Sequence, residues 1–276
     1  LSTSVIMIDF KKVIIQSPLY NFHTHTQYCD GHAPMEDFVI EAISQGFIAL
    51  GFTPHSPLPF ESSCNMTRAS VPLYLDEVKR LRCIYGDRIA IYAGMEIDYV
   101  DDFGPSAGYY DDVPLDYRIG SVHFIPSFDN PSQYIDIDGR FARFKEKMGQ
   151  YFHGDIERVV RSYFTQSMAM VQAGGFDVIG HLDKIGLNAS LYSPGIDQEE
   201  WYKQLVNDLF EAVMDHHLVV EVNSKALAEH HRLFPDVGYA DLLCKYDVPV
   251  LFNSDAHYPG LINAGRMEAM RLFSAG

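Results

Sequence analysis

The sequence predicts an α/β fold in which parallel strands alternate with helices and close, or nearly close, into a barrel with its active site at the C-terminal strand ends. Three observations predict it. Seven short apolar runs recur along the chain, each followed at once by a residue able to bind metal or substrate. Helical patterns fall between several of them. The length, 276 residues, suits a single barrel.

The runs, in order, are residues 19–22, leading to His23 and His25; 49–53, to His55; 89–95, to Glu96; 118–122, to His123; 178–180, to His181; 218–222, to Asn223; and 248–252, to Asn253, Asp255 and His257. Short runs rich in Val, Ile, Leu and aromatics read as strands buried on both faces. Helices are expected over 34–45, ended by Gly46; 71–85, ended by Gly86; and 155–173, ended by Gly174 and Gly175. A fourth covers 197–216 with Asp197 as its N-cap, and a shorter one covers 238–246. Strand alternating with helix implies a parallel sheet. No repeat or flexible linker divides the chain, so residues 1–276 read as one domain. Residues 103–116 and 128–152 are long insertions, expected to cover the site as loops or lids.

Composition narrows the functional classes. Hydrophobic residues make up 47% and charged residues 21%, the balance of a globular enzyme. A formal net charge of −16 repels a nucleic-acid backbone, so no long nucleic acid is expected as partner. No apolar run reaches the roughly 18 residues of a membrane-spanning helix. Residues 1–15 mix apolar residues with Asp9, Lys11 and Lys12, and no signal peptide is expected. Cys29, Cys64, Cys83 and Cys244 are widely spaced, which fits a reduced, cytoplasmic setting better than a disulfide framework.

The strand-end residues form a metal-binding constellation. In His23-Thr24-His25 the two imidazoles share a strand face and can reach one ion. Asp30, in a loop with Gly31, offers a carboxylate to a neighbouring ion. Prolines stiffen the turn that carries His55. Glu96, directly after an apolar strand, is costly to bury unless paired or metal-bound, and its two oxygens can bridge two ions. His123 and His181 add two imidazoles, and Asp255 with His257 closes the set. Each taken singly has an ordinary structural explanation. Six histidines at strand ends with carboxylates between them call for two or three divalent ions, and mixed nitrogen and oxygen donors favour Zn, Mn or Fe over Ca. Of the other six, His216, His217, His230 and His231 read as surface residues, His32 lies beside the site, and His153 is a candidate substrate contact.

The segments HTHTQYCDGH, GFTPHSP, GMEIDY, DYRIGSVHF, FDVIGHLDK, EVN and NSDAH resemble the successive motifs of the PHP superfamily (polymerase and histidinol phosphatase). The resemblance spans about residues 19–257 and is nearest to the histidinol-phosphate phosphatase branch. It implies a distorted (β/α)7 TIM-like barrel with a trinuclear site. By motif, His23, His25, Glu96 and Asp255 would hold the first ion; Glu96, His123 and His181 the second; Asp30, His55 and His257 the third. The chain departs from the family after EVN: Ser224-Lys225-Ala226-Leu227 stands where members often carry a Thr-rich turn with Gly and Arg. Lys225 is the expected phosphate partner there, and Arg161 a second candidate.

The expected chemistry is metal-assisted hydrolysis of a small phosphomonoester, L-histidinol phosphate by family resemblance, with Glu96 and Asp255 at its centre. No Ser or Cys nucleophile stands in a recognisable triad. The leaving alkoxide needs a proton, for which Asp183 and His153 are candidates. The acidic pairs Asp101-Asp102 and Asp111-Asp112 are candidate receivers of a substrate ammonium. Two alternatives stay open: a PHP phosphodiesterase or exonuclease acting on nucleotides, and a non-catalytic PHP module.

Overall fold

Short apolar runs interrupted by Gly and Pro build short strands, and the amphipathic stretches between them build the covering helices. The computed structural model describes residues 8–101, 103–246 and 249–274. The strands are β1 (Tyr20–Asn21), β2 (Ala49–Phe52), β3 (Ala90–Ala93), β4 (Glu96–Asp98), β5 (Ile119–Ser121), β6 (Phe124–Pro126), β7 (Tyr134–Asp136), β8 (Val178–Ile179), β9 (Val219–Asn223) and β10 (Val250–Asn253). The helices are α1 (Phe10–Gln16), α2 (Met35–Ser44), α3 (Ser70–Tyr85), α4 (Phe141–Tyr151), α5 (Ile156–Ala173), α6 (Ile185–Tyr192), α7 (Glu200–Asp215), α8 (Leu227–His230), α9 (Ala240–Tyr246) and α10 (Arg266–Ser274). No helix among the described residues is long and apolar enough to cross a membrane.

Two parallel sheets carry the site. One has the order β1-β2-β3, the other β10-β9-β8-β5-β4. They meet at both edges through isolated bridges, not continuous ladders. At one edge β4 resumes the path of β3 after Gly94-Met95, and His55 bridges Glu96. At the other, Thr24 bridges Ala256, and the His25 amide donates to the Ala256 carbonyl at 2.9 Å. Phe10, Tyr20, Phe22, Tyr117, Ile119 and Leu251 share one apolar cluster between the sheets. The Phe22 ring meets Phe10 and Tyr117 edge-on at 5.1 and 5.7 Å. Because β1, β5 and β10 contribute to one cluster, the two sheets face each other across it. Larger apolar clusters lie outside, one under α2 and α3, the other under α5 and α7.

The expected helices are present with modest shifts of their ends. Asp155 caps α5, its side chain accepting the Arg158 amide at 3.0 Å, and Gly174 leaves the helix with φ 69°. Asp197 does not cap α7. Its carboxylate is held by Arg232 at 2.6 Å, and the helix begins at Glu200. Helix α6 carries no amphipathic signal because Ile185, Gly186, Asn188 and Ala189 are all buried along its short length. The insertion 128–152 is structured: it holds β7, which pairs antiparallel with β6, and α4.

Candidate metal centre

Strand ends bring nine side chains together: His23, His25, Asp30, His55, Glu96, His123, His181, Asp255 and His257 all occur in clusters of potential ligands. His23 and His25 leave the end of β1 on one face, with Nε2 atoms 3.1 Å apart. Gly31 lets the next loop fold back on β1, since a Cβ there would lie 2.2 Å from the His25 carbonyl oxygen; Asp30 is thereby carried to the cluster. His181 and Asp255 turn out of β8 and β10 with φ 23° and 50°, backbone that L residues seldom adopt.

Glu96 is the hub. Its Oε2 lies 3.2 Å from His23 Nε2, 3.3 Å from His25 Nε2 and 3.1 Å from His55 Nδ1. Its Oε1 lies 2.8 Å from His181 Nε2 and 3.5 Å from His123 Nε2. Asp255 Oδ1 approaches His25 Nε2 at 3.3 Å. Asp30 faces His55 at 3.8 Å and His257 at 3.4 Å. The potential ligands form four overlapping groups: His25, Asp30, His55 and His257; His23, His181 and Asp255; His23, His25 and Glu96; and His55, Glu96 and His123. They draw on the same nine residues as the motif-implied sets but divide them differently, with His181 beside His23 and Asp255 and with His55 shared between two groups.

Two carboxylates behind the cluster orient its imidazoles. His23 Nδ1 donates to Glu221 Oε1 at 2.6 Å, and His123 Nδ1 to Asp98 Oδ1 at 2.6 Å. Each pairing turns the Nε2 lone pair inward, as carboxylate partners do for metal-ligating histidines. Glu221 is itself fixed by the His181 amide at 2.9 Å and Asn253 Nδ2 at 2.9 Å. Lone pairs facing one another this closely repel unless a cation lies between them. Glu96 Oε2, His55 Nδ1, His181 Nδ1 and Asp30 Oδ1 are also buried without a hydrogen-bond partner. The donor set therefore fits several divalent ions.

The imidazoles of the cluster titrate in two directions. Burial opposes charge on His23, but Glu221, Glu96 and Asp255 outweigh it and raise its pKa well above the ordinary value. Burial likewise opposes charge on His123, but Asp98 and Glu96 push its pKa up to about 9. Burial, joined by Lys184, lowers His181 to about 4. Burial, with the neighbouring His257 and His55, also holds His25 well below the ordinary value, and burial lowers His55; neutral imidazoles of this kind keep the lone pairs that a metal needs.

A cavity of about 500 Å³ opens above the cluster, lined by Asp30, His55, His123, Asp255 and His257 together with residues of the second insertion. Lys225 reaches into it, with Nζ 3.0 Å from Asp255 Oδ1. Several expectations are corrected here. Asp183 is fully buried away from the cavity, its carboxylate 3.2 Å from Arg232 and from the Asp236 amide. His153 is exposed and paired with Asp129 at 2.7 Å. Arg161 lies on the outer face of α5, bound to Glu157 and over the Trp201 ring. None of the three is placed to touch a substrate at the cluster. Among the described residues, 103–116 does not line the cavity either. That segment packs toward α3 and Arg118, with Arg68 over the Tyr109 ring at 4.7 Å and the Arg118 guanidinium on the Tyr110 carbonyl. Asp101, Asp111 and Asp112 are therefore remote from the site, and Asp102 lies outside the described residues. His32 stacks on Tyr258 at 4.5 Å, outside the nine.

Sequence reasoning gave no role to Asp98, Glu221, Asp138 or Lys184. Asp98 was detectable in principle, since it stands two residues after Glu96 and shares its face in β4. Lys184 lines the cavity with its Nζ 2.9 Å from Asp138 Oδ2 and 3.7 Å from Asp255 Oδ2.

Comparison with known proteins places the chain among relatives. Residues 21–225 match the PHP domain family. A histidinol-phosphatase of Bacillus subtilis (strain 168) is 25% identical over 256 residues, covering 86% of this chain and 93% of that protein. A histidinol-phosphatase of Lactococcus lactis subsp. lactis is 27% identical over 236 residues, covering 82% of this chain and 77% of that protein. The crystal structure of histidinol phosphate phosphatase from Lactococcus lactis, complexed with Zn, L-histidinol and phosphate, superposes with a TM-score of 0.71 at 22% identity, over 93% of this chain and 92% of the other.

Proposed function

We propose that this chain, which belongs to the PHP domain family, is a metal-dependent phosphomonoesterase that hydrolyses L-histidinol phosphate to L-histidinol and inorganic phosphate. The observation that carries the reading is the convergence of all nine ligand-type side chains in overlapping clusters, five of them lining the cavity, in a chain whose relatives include histidinol-phosphatases.

Three sets are assigned: His23, His25, Glu96 and Asp255; Glu96, His123 and His181; and Asp30, His55 and His257, with His25 adjoining the last. Zn, Mn or Fe suits these donors, and divalent ions bound there would acidify a water and offset charge on the phosphoryl oxygens. The chain's own residues do the rest. Glu96, reaching both sides of the cluster through its two oxygens, fixes the spacing at which attack on phosphorus occurs. Lys225 faces the cavity as a point charge for the phosphoryl group. Asp255 Oδ1, 3.0 Å from Lys225 Nζ and 3.3 Å from His25 Nε2, would belong to the first ion and ties the Lys225 ammonium to the cluster. The rim offers the substrate's organic end a different chemistry. Phe60 and Tyr134 stack at 5.9 Å with their planes 7° apart, and Asp136 stands beside them on β7. A flat imidazole and an ammonium suit aromatic faces and a carboxylate.

The test is steady-state hydrolysis by metal-reconstituted enzyme across L-histidinol phosphate, other amino-alcohol phosphates, sugar phosphates and nucleotides. L-histidinol phosphate is expected to give the highest kcat/KM. A clear preference for a nucleotide diester would overturn the reading.

A further inference from the structure

Three neighbouring strand ends meet at the cavity in sheet order. Lys184 follows β8, Lys225 follows β9 and Asp255 follows β10. The two ammonium groups approach opposite oxygens of the one carboxylate: Lys225 Nζ is 3.0 Å from Asp255 Oδ1, and Lys184 Nζ is 3.7 Å from Asp255 Oδ2. Both side chains line the cavity above the nine-residue cluster. Lys184 is the more enclosed, its side chain 11% exposed against 41% for Lys225.

The placement of Lys184 does not serve its own helix. It stands at the N-terminal end of α6, where a cation opposes the helix dipole, and its side chain makes no cap there. Nor does pairing with Asp138 require burial, since that carboxylate keeps a third of its surface in solvent. Asp138 belongs to the second insertion and reaches across to Lys184 at 2.9 Å. The insertion thereby fixes an ammonium at the cavity wall, near the cluster, where an uncompensated charge would be costly.

We propose that Lys184 is a phosphate-binding residue of this site, forming with Lys225 a two-ammonium clamp on the phosphoryl group, and that Asp138 is its positioning residue. The inference rests on reading the chain as a phosphomonoesterase. Asp255 given to a cation is a weaker partner for both lysines, which then turn to the phosphoryl oxygens. Lysine suits the task because its ammonium acts as a compact point charge with rotatable donors.

The experiment uses metal-reconstituted enzyme and two readouts. Binding of inorganic phosphate is measured by titration calorimetry, and hydrolysis of p-nitrophenyl phosphate and L-histidinol phosphate by steady-state kinetics. Lys184→Met is expected to raise the phosphate Kd and the KM of both esters by roughly tenfold or more, with a smaller change in kcat and unchanged metal content. Lys184→Arg restores part of the binding. Asp138→Asn moves Kd and KM the same way by less. An unchanged phosphate Kd in folded Lys184→Met overturns the proposal. Should that variant not fold, an unchanged Kd in Asp138→Asn together with Lys184→Gln overturns it instead. Failure of the substrate reading looks different: L-histidinol phosphate is then a poor substrate while Lys184→Met still weakens inorganic phosphate.

Discussion

His23, His25, Glu96 and His181 are at most 1% exposed on the ends of parallel strands, whereas Phe60, Tyr134 and Lys147, which wall the same cavity, sit on a loop, a hairpin and a helix in contact with solvent. The floor is held from behind: Glu221 and Asp98 lock two imidazoles, and Asn253 and Asn65 lock those carboxylates at 2.9 and 2.8 Å. The wall is held from one side, chiefly by Lys147 of α4 on the carbonyl and carboxylate of Asp136, both at 2.7 Å. Chemistry that needs fixed spacing rests on the sheets, while recognition of the organic part of a substrate rests on segments that can change without disturbing them.

The sharpest way to break this contrast is to remove the charge that the floor is built to hold. Stripping divalent ions with a chelator should abolish phosphatase activity and lower Tm by about 5–15 °C, since bound ions stabilise only the folded chain. Calorimetry with and without added metal checks it. An unchanged Tm would mean the cluster is satisfied without ions. The next largest effect is expected from Glu96→Gln, which preserves volume but removes the charge at the hub. It should cost roughly 100- to 1,000-fold in kcat with the circular dichroism spectrum retained; near wild-type turnover would make Glu96 merely structural.

The floor was legible in the sequence because its residues obey simple rules. An apolar run stops, a polar residue follows, and the strand's period of two puts His23 with His25 on one face. The candidate proton donor Asp183 is not reached by that rule. The strand β8 ends at Ile179, and His181 turns the chain with φ 23°, so Asp183 no longer shares the His181 face and goes to Arg232. Burial raises its pKa to about 6 against the pull of Arg232, which gives it the look of an acid without access to a substrate. Glu221 lay in plain view beside Asn223, but which histidine it holds depends on the β9–β10 and β8–β9 pairings, a long-range property. The wall was legible only as a position: 128–152 was expected to cover the site and does line the cavity, but its internal structure and contacts were not readable. Residues 128–152 carry no strand–helix alternation, and only folding brings Asp138 to Lys184 and Tyr134 to Phe60.

Two substitutions sharpen the comparison from either side. Asp98→Asn removes the charge behind His123 while leaving every candidate ligand in place. Metal affinity at that position should fall by roughly 10- to 100-fold, read by competition with a chromogenic chelator, and activity should recover at high metal concentration. No recovery would show that Asp98 does more than orient His123. Tyr134→Ala acts on the wall. It should raise KM for L-histidinol phosphate several-fold, consistent with about 1 kcal/mol for an aromatic contact, and leave both kcat and KM for p-nitrophenyl phosphate nearly unchanged. A fall in kcat on both substrates would place the wall in the chemistry and dissolve the distinction.

The smallest effects are expected at Arg161 and His153, residues that sequence reasoning brought toward the site. Arg161 is bound within its own helix turn to Glu157 at 2.7 Å, with both side chains about half exposed, and its guanidinium lies 4.5 Å from the Trp201 ring centroid. Exposed pairs of this kind contribute at most about 1 kcal/mol. His153 pairs with an exposed Asp129 and touches the Phe128 ring at 6.2 Å. Arg161→Ala and His153→Ala should therefore each keep kcat/KM within about twofold of wild type, since neither touches the cavity. Arg161→Ala alone should show a small loss of stability, because it gives up the Trp201 contact as well as the ion pair. Denaturant melts measured beside the kinetics separate the two expectations. A tenfold rise in KM for either variant would return that residue to the substrate path, and the boundary between wall and outer surface would have to be redrawn through the start of α5.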